Sequence, residues 1–437
     1  MPAARDLSLS RLDRPSGGLS NETIFGRLSW RGDEGDRSRD LVIRLEPKDF
    51  QVFPEYDLSR QFHIMSRLAE TSVPVPSVLW LEEDARILGS PFYVMERIDG
   101  EIASEVPPYH TFGLCFDASP KRRAKMWWSG IEAMAAIHSL DWGKLDISFM
   151  DEPGGAKPDP QLDYYESFFN WAKGRDPQPV LEASLAWLKK NRFTPKRVSL
   201  CWGDSRLPNL IFRDDAVAGV LDWEMAFLGD PEADLAWWIF QDWQHSEGYG
   251  IPRLEGFPGP EDTVRCYEEL TGHRVENYIY HEVMAAFRFG VIMLRVADRM
   301  KAQGIPTPTP DFATNNPCTQ RLATLLDLPS PGGPARETTN IKDRTVCVQF
   351  HLTGDGGCDW YLVSEQGEGK RHEGAVENPD VTLTVSAADW KAIQNGTLDR
   401  SQAYLGGSLK VEGDLTLLMQ LEEVISRLSE DGGSDGK

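Results

Sequence analysis

Val198-Ser199-Leu200-Cys201-Trp202-Gly203-Asp204-Ser205-Arg206-Leu207-Pro208-Asn209 and, a little further on, Val220-Leu221-Asp222-Trp223-Glu224 decide the reading of this chain. Each carboxylate follows a short apolar run, and Asn209 stands five positions after Asp204. One carboxylate can accept the proton of an attacking hydroxyl. An Asn amide oxygen and a second carboxylate are hard oxygen ligands, suited to Mg²⁺ carrying phosphates. Those residue types in that order point to phosphoryl transfer.

Outward from this stretch the pattern alternates between strands and helices. Leu210-Ile211-Phe212 and Ala218-Gly219-Val220-Leu221 read as strands around a turn at Asp214-Asp215. Upstream, Ile24 to Leu28, Leu41 to Leu45 and Pro91 to Arg97 read as strands, the second carrying Arg44. Leu58 to Leu68 reads as a helix with Leu58, Phe62, Met65 and Leu68 on one face. Helices are also expected over Arg122–Leu140, Glu166–Trp171 and Leu181–Trp187, from Leu235, and over Glu276–Met300. Gly17 to Thr23 is a small-residue turn entering a strand, a shape that brings backbone N–H groups close to phosphates.

A chain of 437 residues is long for one core, so two or three domains are expected. With 41% hydrophobic and 26% charged residues it reads as a soluble globular protein. A formal net charge of -22 argues against general binding to nucleic acid or anionic membranes, while leaving room for a local cationic phosphate pocket. Cys115, Cys201, Cys266, Cys318, Cys347 and Cys358 show no metal-ligand spacing, and reduced thiols in the cytoplasm are the simplest expectation. The first residues lack the apolar run of a signal peptide, and no stretch of about 18 uncharged apolar residues suggests a membrane span.

Trp202-Gly203-Asp204…Asn209…Asp222-Trp223-Glu224, with Gly229-Asp230-Pro231…Asp234-Leu235 behind it, resembles the aminoglycoside phosphotransferase and choline kinase-like family. The resemblance covers about residues 15 to 325. The subgroup most like it is the one related to the kinase-like domains of acyl-CoA dehydrogenase fusions. It implies an α+β, bilobal protein-kinase-like fold, with an N-lobe over 1–97 and a C-lobe over 98–327. It implies an ATP- and Mg-dependent phosphotransferase with Asp204 as catalytic base and Asn209 and Asp222 as metal ligands. Gly18, Ser20, Asn21 and Thr23 would cover the phosphates, Arg44 would neutralise them, and Met95 to Arg97 would form the hinge beside adenine. Three departures stand out. Trp202 replaces the family's His and reads as an architectural substitute. Arg44 replaces Lys. Gln61 stands where Glu holds that Lys, so either Glu55 substitutes or the site is looser.

Other residues have plainer readings. Asp234 is expected to brace the catalytic loop and His138 to be packed or capping. Arg206 touches phosphate or makes a surface salt bridge. Glu224 is an extra metal or water ligand, or a surface group. Trp127-Trp128 and Trp237-Trp238 read as core.

Leu328 to Pro334 is a Pro/Gly/Ser boundary, within a linker taken as 328–338. Strands are expected over 346–352, 359–363 and 381–385, with helices over Ala387–Gln394 and Leu415–Leu428. Asn378-Pro379-Asp380-Val381-Thr382-Leu383-Thr384-Val385, Asp389-Trp390 and Gly407 to Asp414 resemble a sterol-carrier-protein-like domain, placed at 339–429, with a disordered tail at 430–437. That resemblance implies a small α+β domain with an apolar tunnel. Trp360, Leu405, Leu417, Leu418 and Leu421 are candidates to line it, or are simply core; a packing or homodimerisation module is the other reading. A lipid-carrier domain beside a kinase-like one shifts the expected acceptor to a hydroxyl on an apolar or CoA-linked small molecule, such as a hydroxyacyl-CoA or steroid-like alcohol. An antibiotic phosphotransferase and a lipid-binding pseudokinase scaffold remain as alternatives.

Overall fold

The computed structural model describes residues 5–13, 21–32, 35–47, 50–150, 160–174, 176–305, 307–331, 345–365, 368–395, 397–398, 403 and 408–413. In chain order come β1 (Arg5–Asp13), β2 (Glu22–Gly32), β3 (Gly35–Leu45), α1 (Leu58–Leu68), β4 (Val78–Glu82), β5 (Phe92–Glu96), β6 (Glu101–Ile102), α2 (Leu114–Asp117), α3 (Pro120–His138), α4 (Pro160–Ala172) and α5 (Pro179–Lys190). Then follow β7 (Ser199–Cys201), β8 (Leu210–Arg213), β9 (Ala216–Val220), β10 (Phe227–Gly229), α6 (Glu232–Gln244), α7 (Pro260–Thr271), α8 (Tyr278–Ala302) and α9 (Pro317–Leu325). Five strands and a helix close the order: β11 (Val346–Thr353), β12 (Asp359–Glu365), β13 (Glu368–Glu373), β14 (Val381–Ser386), α10 (Ala387–Gln394) and β15 (Leu409–Gly413). Contacts divide the chain into two compact units. One holds Met1–Ala103, Ala118–Asp242 and Glu255–Arg295; the other holds Ser104–Asp117, Trp243–Leu254 and Val296–Lys437.

The first unit opens with an antiparallel sheet in the order β1-β2-β3-β5-β4. Alternation puts Leu41, Ile43 and Leu45 to one side of β3 and Arg44 to the other. The register sets Thr23, Arg44 and Tyr93 in one row across β2, β3 and β5. Helix α1 starts where the Asp57 carboxylate accepts the Arg60 N–H at 2.7 Å. Its buried face is Leu58, Gln61, Ile64, Met65 and Leu68, so the expected stripe through Phe62 is corrected: Phe62 sits at the margin, and the polar Gln61 takes the inward place. The helical remainder is built on Trp127, Trp237, Trp238, Phe168, Phe169 and Phe287, all nearly inaccessible to water. Gly130 is required there, because a Cβ would stand 2.3 Å from the Trp238 ring. The β8–β9 hairpin turns at Asp214 and Asp215, both with positive φ, as a two-residue turn matching strand twist demands.

In the second unit, a five-stranded sheet runs β13-β12-β11-β14-β15, with β11 parallel to β14 and the other pairs antiparallel. Val346, Val348 and Phe350 alternate inward with Trp360, Leu362, Val381, Leu383 and Val385. Phe350 and Trp360 stack at 3.7 Å between ring centres, and Trp390 of α10 meets Phe350 edge-on. Trp360 is thus a packed core ring. Leu405, Leu417, Leu418 and Leu421, the expected helix over 415–428, the tail and residues 332–344 lie outside the described residues. All six cysteines are free thiols, and among the described residues no helix is long and apolar enough to cross a membrane.

Candidate active site

Strand β7 pairs antiparallel with β10 and ends at Cys201, delivering the loop Trp202–Asn209 into the interior. Gly203 makes the bend at φ 88°, and a Cβ there would lie 1.9 Å from the Met225 carbonyl oxygen. The bend aims Asp204, only 5% exposed, into a fixed set of donors. Trp237 Nε1 donates to Oδ1 at 2.9 Å; Asn209 Nδ2 and Arg206 Nε donate to Oδ2 at 2.7 and 3.0 Å. The Arg206 ion pair is thus largely buried rather than a surface one, and it is made with the central carboxylate two residues before it. Three donors of this kind hold the carboxylate in one orientation.

Behind the loop, Asp234 at the start of α6 is wholly buried and accepts the backbone N–H groups of Trp202 and Gly203 at 2.6 and 2.8 Å. His138 Nε2 lies 3.0 Å from the same carboxylate, and its Nδ1 is 2.7 Å from the Tyr267 hydroxyl. Arg288 NH2 donates to the Gly203 carbonyl at 2.7 Å while its guanidinium lies over the Trp237 ring at 4.4 Å. The Trp202 indole is buried and donates to the Leu221 carbonyl at 2.7 Å. It ties the Asp204 loop to the residue preceding Asp222, a purely architectural bond that needs no titrating ring.

Asp222 holds a left-handed backbone at φ 59°, a strained conformation for a residue with a side chain. Arg44 NH2 meets its Oδ1 at 3.0 Å, and Arg44 NH1 donates to the Thr23 hydroxyl at 2.9 Å. Burial works against the Arg44 charge, but Asp222, Tyr93 and Glu224 outweigh it and raise its pKa further. Burial pushes the Tyr93 hydroxyl up to about 12, with Arg44 pulling the other way, so it stays a neutral phenol that donates to Gln61 Oε1 at 3.3 Å. Glu55 is exposed and does not stand in for the missing Glu; Tyr93 fills the space between Arg44 and the amide of Gln61. Tyr93→Phe leaves the buried Gln61 oxygen without this donor. It should cost about 1–2 kcal/mol of stability, read from the urea midpoint.

On the same side, Asn21 is 4% exposed and donates from Nδ2 to Glu224 Oε2 at 2.7 Å. Met95 is buried in β5, whereas Arg97 is exposed and lies over the Phe25 ring at 4.7 Å. Gly18 and Ser20 lie outside the described residues. The structure thus brings together Thr23, Arg44 and Asp222, and separately Asp204 and Asn209, whose carbonyl accepts the Leu221 N–H at 2.9 Å. Sequence reasoning missed Trp237, Tyr93 and Arg288. For Tyr93 there was a signal: strand alternation puts it on the face of β5 that Arg44 occupies on β3.

The model of the phosphotransferase enzyme family matches residues 12–260, and that of the SCP-2 sterol transfer family matches residues 335–426. Mouse acyl-CoA dehydrogenase family member 10 is 31% identical over 297 residues, which are 64% of this chain and 26% of that protein. This chain therefore spans about a quarter of that relative. Bovine hydroxysteroid dehydrogenase-like protein 2 is 26% identical over 90 residues, 20% of this chain and 22% of that one. A crystal structure from Ralstonia eutropha described as an aminoglycoside phosphotransferase is similar at a TM-score of 0.54 and 22% identity, covering 73% of this chain and 90% of that one. At that identity the likeness shows the fold: kinase-like, mixed helix and strand.

Proposed function

Because the chain belongs to the phosphotransferase enzyme family, we propose that it moves the γ-phosphoryl group of ATP to a hydroxyl on a hydrophobic metabolite. The observation that carries this reading is Asp204, buried and oriented by Trp237, Asn209 and Arg206. Asp204 takes the proton as the acceptor oxygen attacks. Its carboxylate is the only acid on the loop, and its donors leave it no freedom to turn away. Orientation of this kind supplies much of the rate in phosphoryl transfer.

The residues present fit a divalent cation. Asn209 commits its amide nitrogen to Asp204, leaving the carbonyl oxygen as its other polar atom. Asp222 adds a hard carboxylate oxygen. Asn21 Oδ1 is buried with no hydrogen-bond partner, an acceptor that a bound ligand's donor would satisfy. Asn209 and Asp222 would hold Mg²⁺. Bound with ATP, it would bring the phosphoryl group and neutralise its charge. Asn21, Thr23 and Arg44 would form the cationic and polar wall toward the nucleotide, with Met95 of β5 and Arg97 just after it as the hinge; Gly18 and Ser20, expected in the same loop, lie outside the described residues.

An apolar acceptor is supported by the SCP-2 match and by what the relatives are called, an acyl-CoA dehydrogenase family member and a hydroxysteroid dehydrogenase-like protein. A hydroxyacyl-CoA or a steroid-like alcohol joins these. The test is ADP release over a panel of hydroxysteroids, hydroxyacyl-CoA esters, aminoglycosides and macrolides. ADP release confined to the first two classes is the expected result. Turnover of the antibiotics alone would make it a resistance enzyme, and no turnover with any alcohol would leave a scaffold.

A further inference from the structure

A cavity of about 870 Å³ opens beside Glu224, between the N-terminal end of α1, helix α4 and the Met225–Gly229 segment. None of the residues already given a role in binding phosphates lines it. We propose that it is the acceptor's seat, and that it takes an elongated, uncharged apolar body with the hydroxyl foremost. This deepens the phosphotransferase reading above and rests on it.

Three observations carry the proposal. The first is position. Glu224 lies on the cavity wall two residues after Asp222 and is bonded to Asn21. Tyr165, also on the wall, has its ring 5.1 Å from the Arg288 guanidinium. Arg288 also lies over the Trp237 ring at 4.4 Å, and Trp237 donates to Asp204, so one run of contacts joins the cavity wall to that carboxylate. The second is size and surface. The volume lies in the upper part of the range of roughly 300–1,000 Å³ for small-molecule sites. Phe53, Tyr164, Phe227, Leu228 and Met150 make the body of the wall apolar or aromatic. A small amino alcohol would leave most of that surface wet, whereas an acyl chain or a ring system would cover it.

The third observation is charge. Three carboxylates, Glu55, Asp57 and Glu224, share the wall with Arg60. The Asp57 carboxylate caps α1, and Arg60 NH2 donates to the Ala226 carbonyl at 3.0 Å. The balance is negative, so a carboxylate, sulfate or phosphate pushed into the cavity meets net repulsion. An acyl-CoA would therefore enter by its acyl end and keep its phosphates outside.

The experiment is equilibrium dialysis of the full chain with a short omega-hydroxy fatty acid, small enough for its carboxylate to lie inside the cavity, and, separately, its methyl ester, in the presence of MgADP. The two probes differ in charge and by a single methyl group. The ester should bind at least about tenfold more tightly than the acid, a factor worth about 1.4 kcal/mol. Val198 lines the cavity and is exposed, so Val198→Trp narrows it without burdening the core. That variant should weaken one equivalent of ester binding by about tenfold or more while MgADP affinity stays the same. Glu55→Lys, at another exposed wall position, should narrow or reverse the preference for ester over acid. Ester binding unchanged in Val198→Trp, or equal binding of acid and ester to the unmodified chain, would overturn the proposal. Failure of the phosphotransferase reading looks different: no ADP release with any alcohol and no binding of MgADP.

Discussion

Asp204→Asn should lower turnover by roughly a thousandfold or more, toward the upper end of what a lost general base removes, while MgADP still binds. The substitution keeps the shape of the side chain but not its charge. Its donors are set: Trp237 on one oxygen, Asn209 and Arg206 on the other. An amide can satisfy Trp237 through its oxygen, leaving the loop largely in place. What disappears is the acceptor for the proton. Asp222→Ala should give the opposite split, because its carboxylate is the one facing Arg44 and the cationic row. There MgADP affinity falls first, measurable by calorimetry, and turnover falls as a consequence. Full activity in Asp204→Asn would remove Asp204 from the chemistry. Unchanged MgADP affinity in Asp222→Ala would move the metal elsewhere.

The catalytic stretch was legible because its meaning is local. Apolar runs, a Gly bend, an Asp and an Asn at fixed separation all lie within one loop, and Trp202 was legible as an architectural residue once its neighbours were intact. Elements whose logic is tertiary were harder. β1 alternates only over Leu7 to Ser10, and its Leu7, Leu9 and Leu12 stay exposed, so the signal was short and backed by no core. α7 and α9 are short helices started by Pro260 and Pro317, a residue that suits a helix's first turn as readily as it marks a loop. In α1 a buried polar residue displaced the stripe, since Gln61 faces inward only because Tyr93 meets it there. Trp237 was read as core, and it is; nothing in the spacing of α6 told that its indole N–H ends on Asp204.

The departures at Arg44 and Gln61 make sense together. A lysine has one compact charge and depends on a carboxylate behind it. Arg44 is forked: one nitrogen reaches Thr23, another Asp222, and Tyr93 stands beside it. A second carboxylate in the place of Gln61 would bury an extra negative charge beside Asp222 and Glu224, at a desolvation cost that an amide avoids. The neutral phenol of Tyr93 matches the neutral amide, so the row stays balanced.

Asp234→Ala should destabilise the chain by at least about 3 kcal/mol, since each of three buried donors left unpaired costs about 1–3 kcal/mol. Those donors are the Trp202 and Gly203 N–H groups and His138 Nε2. Upstream, Arg197 NH2 donates to the Tyr267 hydroxyl, which in turn can donate to His138 Nδ1. That leaves the Nε2 proton for Asp234. Asp234 also lies in the first turn of α6, where the helix dipole favours its charge. Alanine ends all of this at once, and the Asp204 loop loses the acceptor that fixes its first two residues. Asp234→Asn should fall between the two, because one amide oxygen can still accept while the NH₂ opposes a donor. Urea unfolding followed by both tryptophan fluorescence and MgADP binding separates the contributions. If Asp234 only braces the loop, the stability loss and the activity loss rise together from Asn to Ala. Activity lost in Asp234→Asn with the unfolding midpoint unmoved would instead place Asp234 in the chemistry.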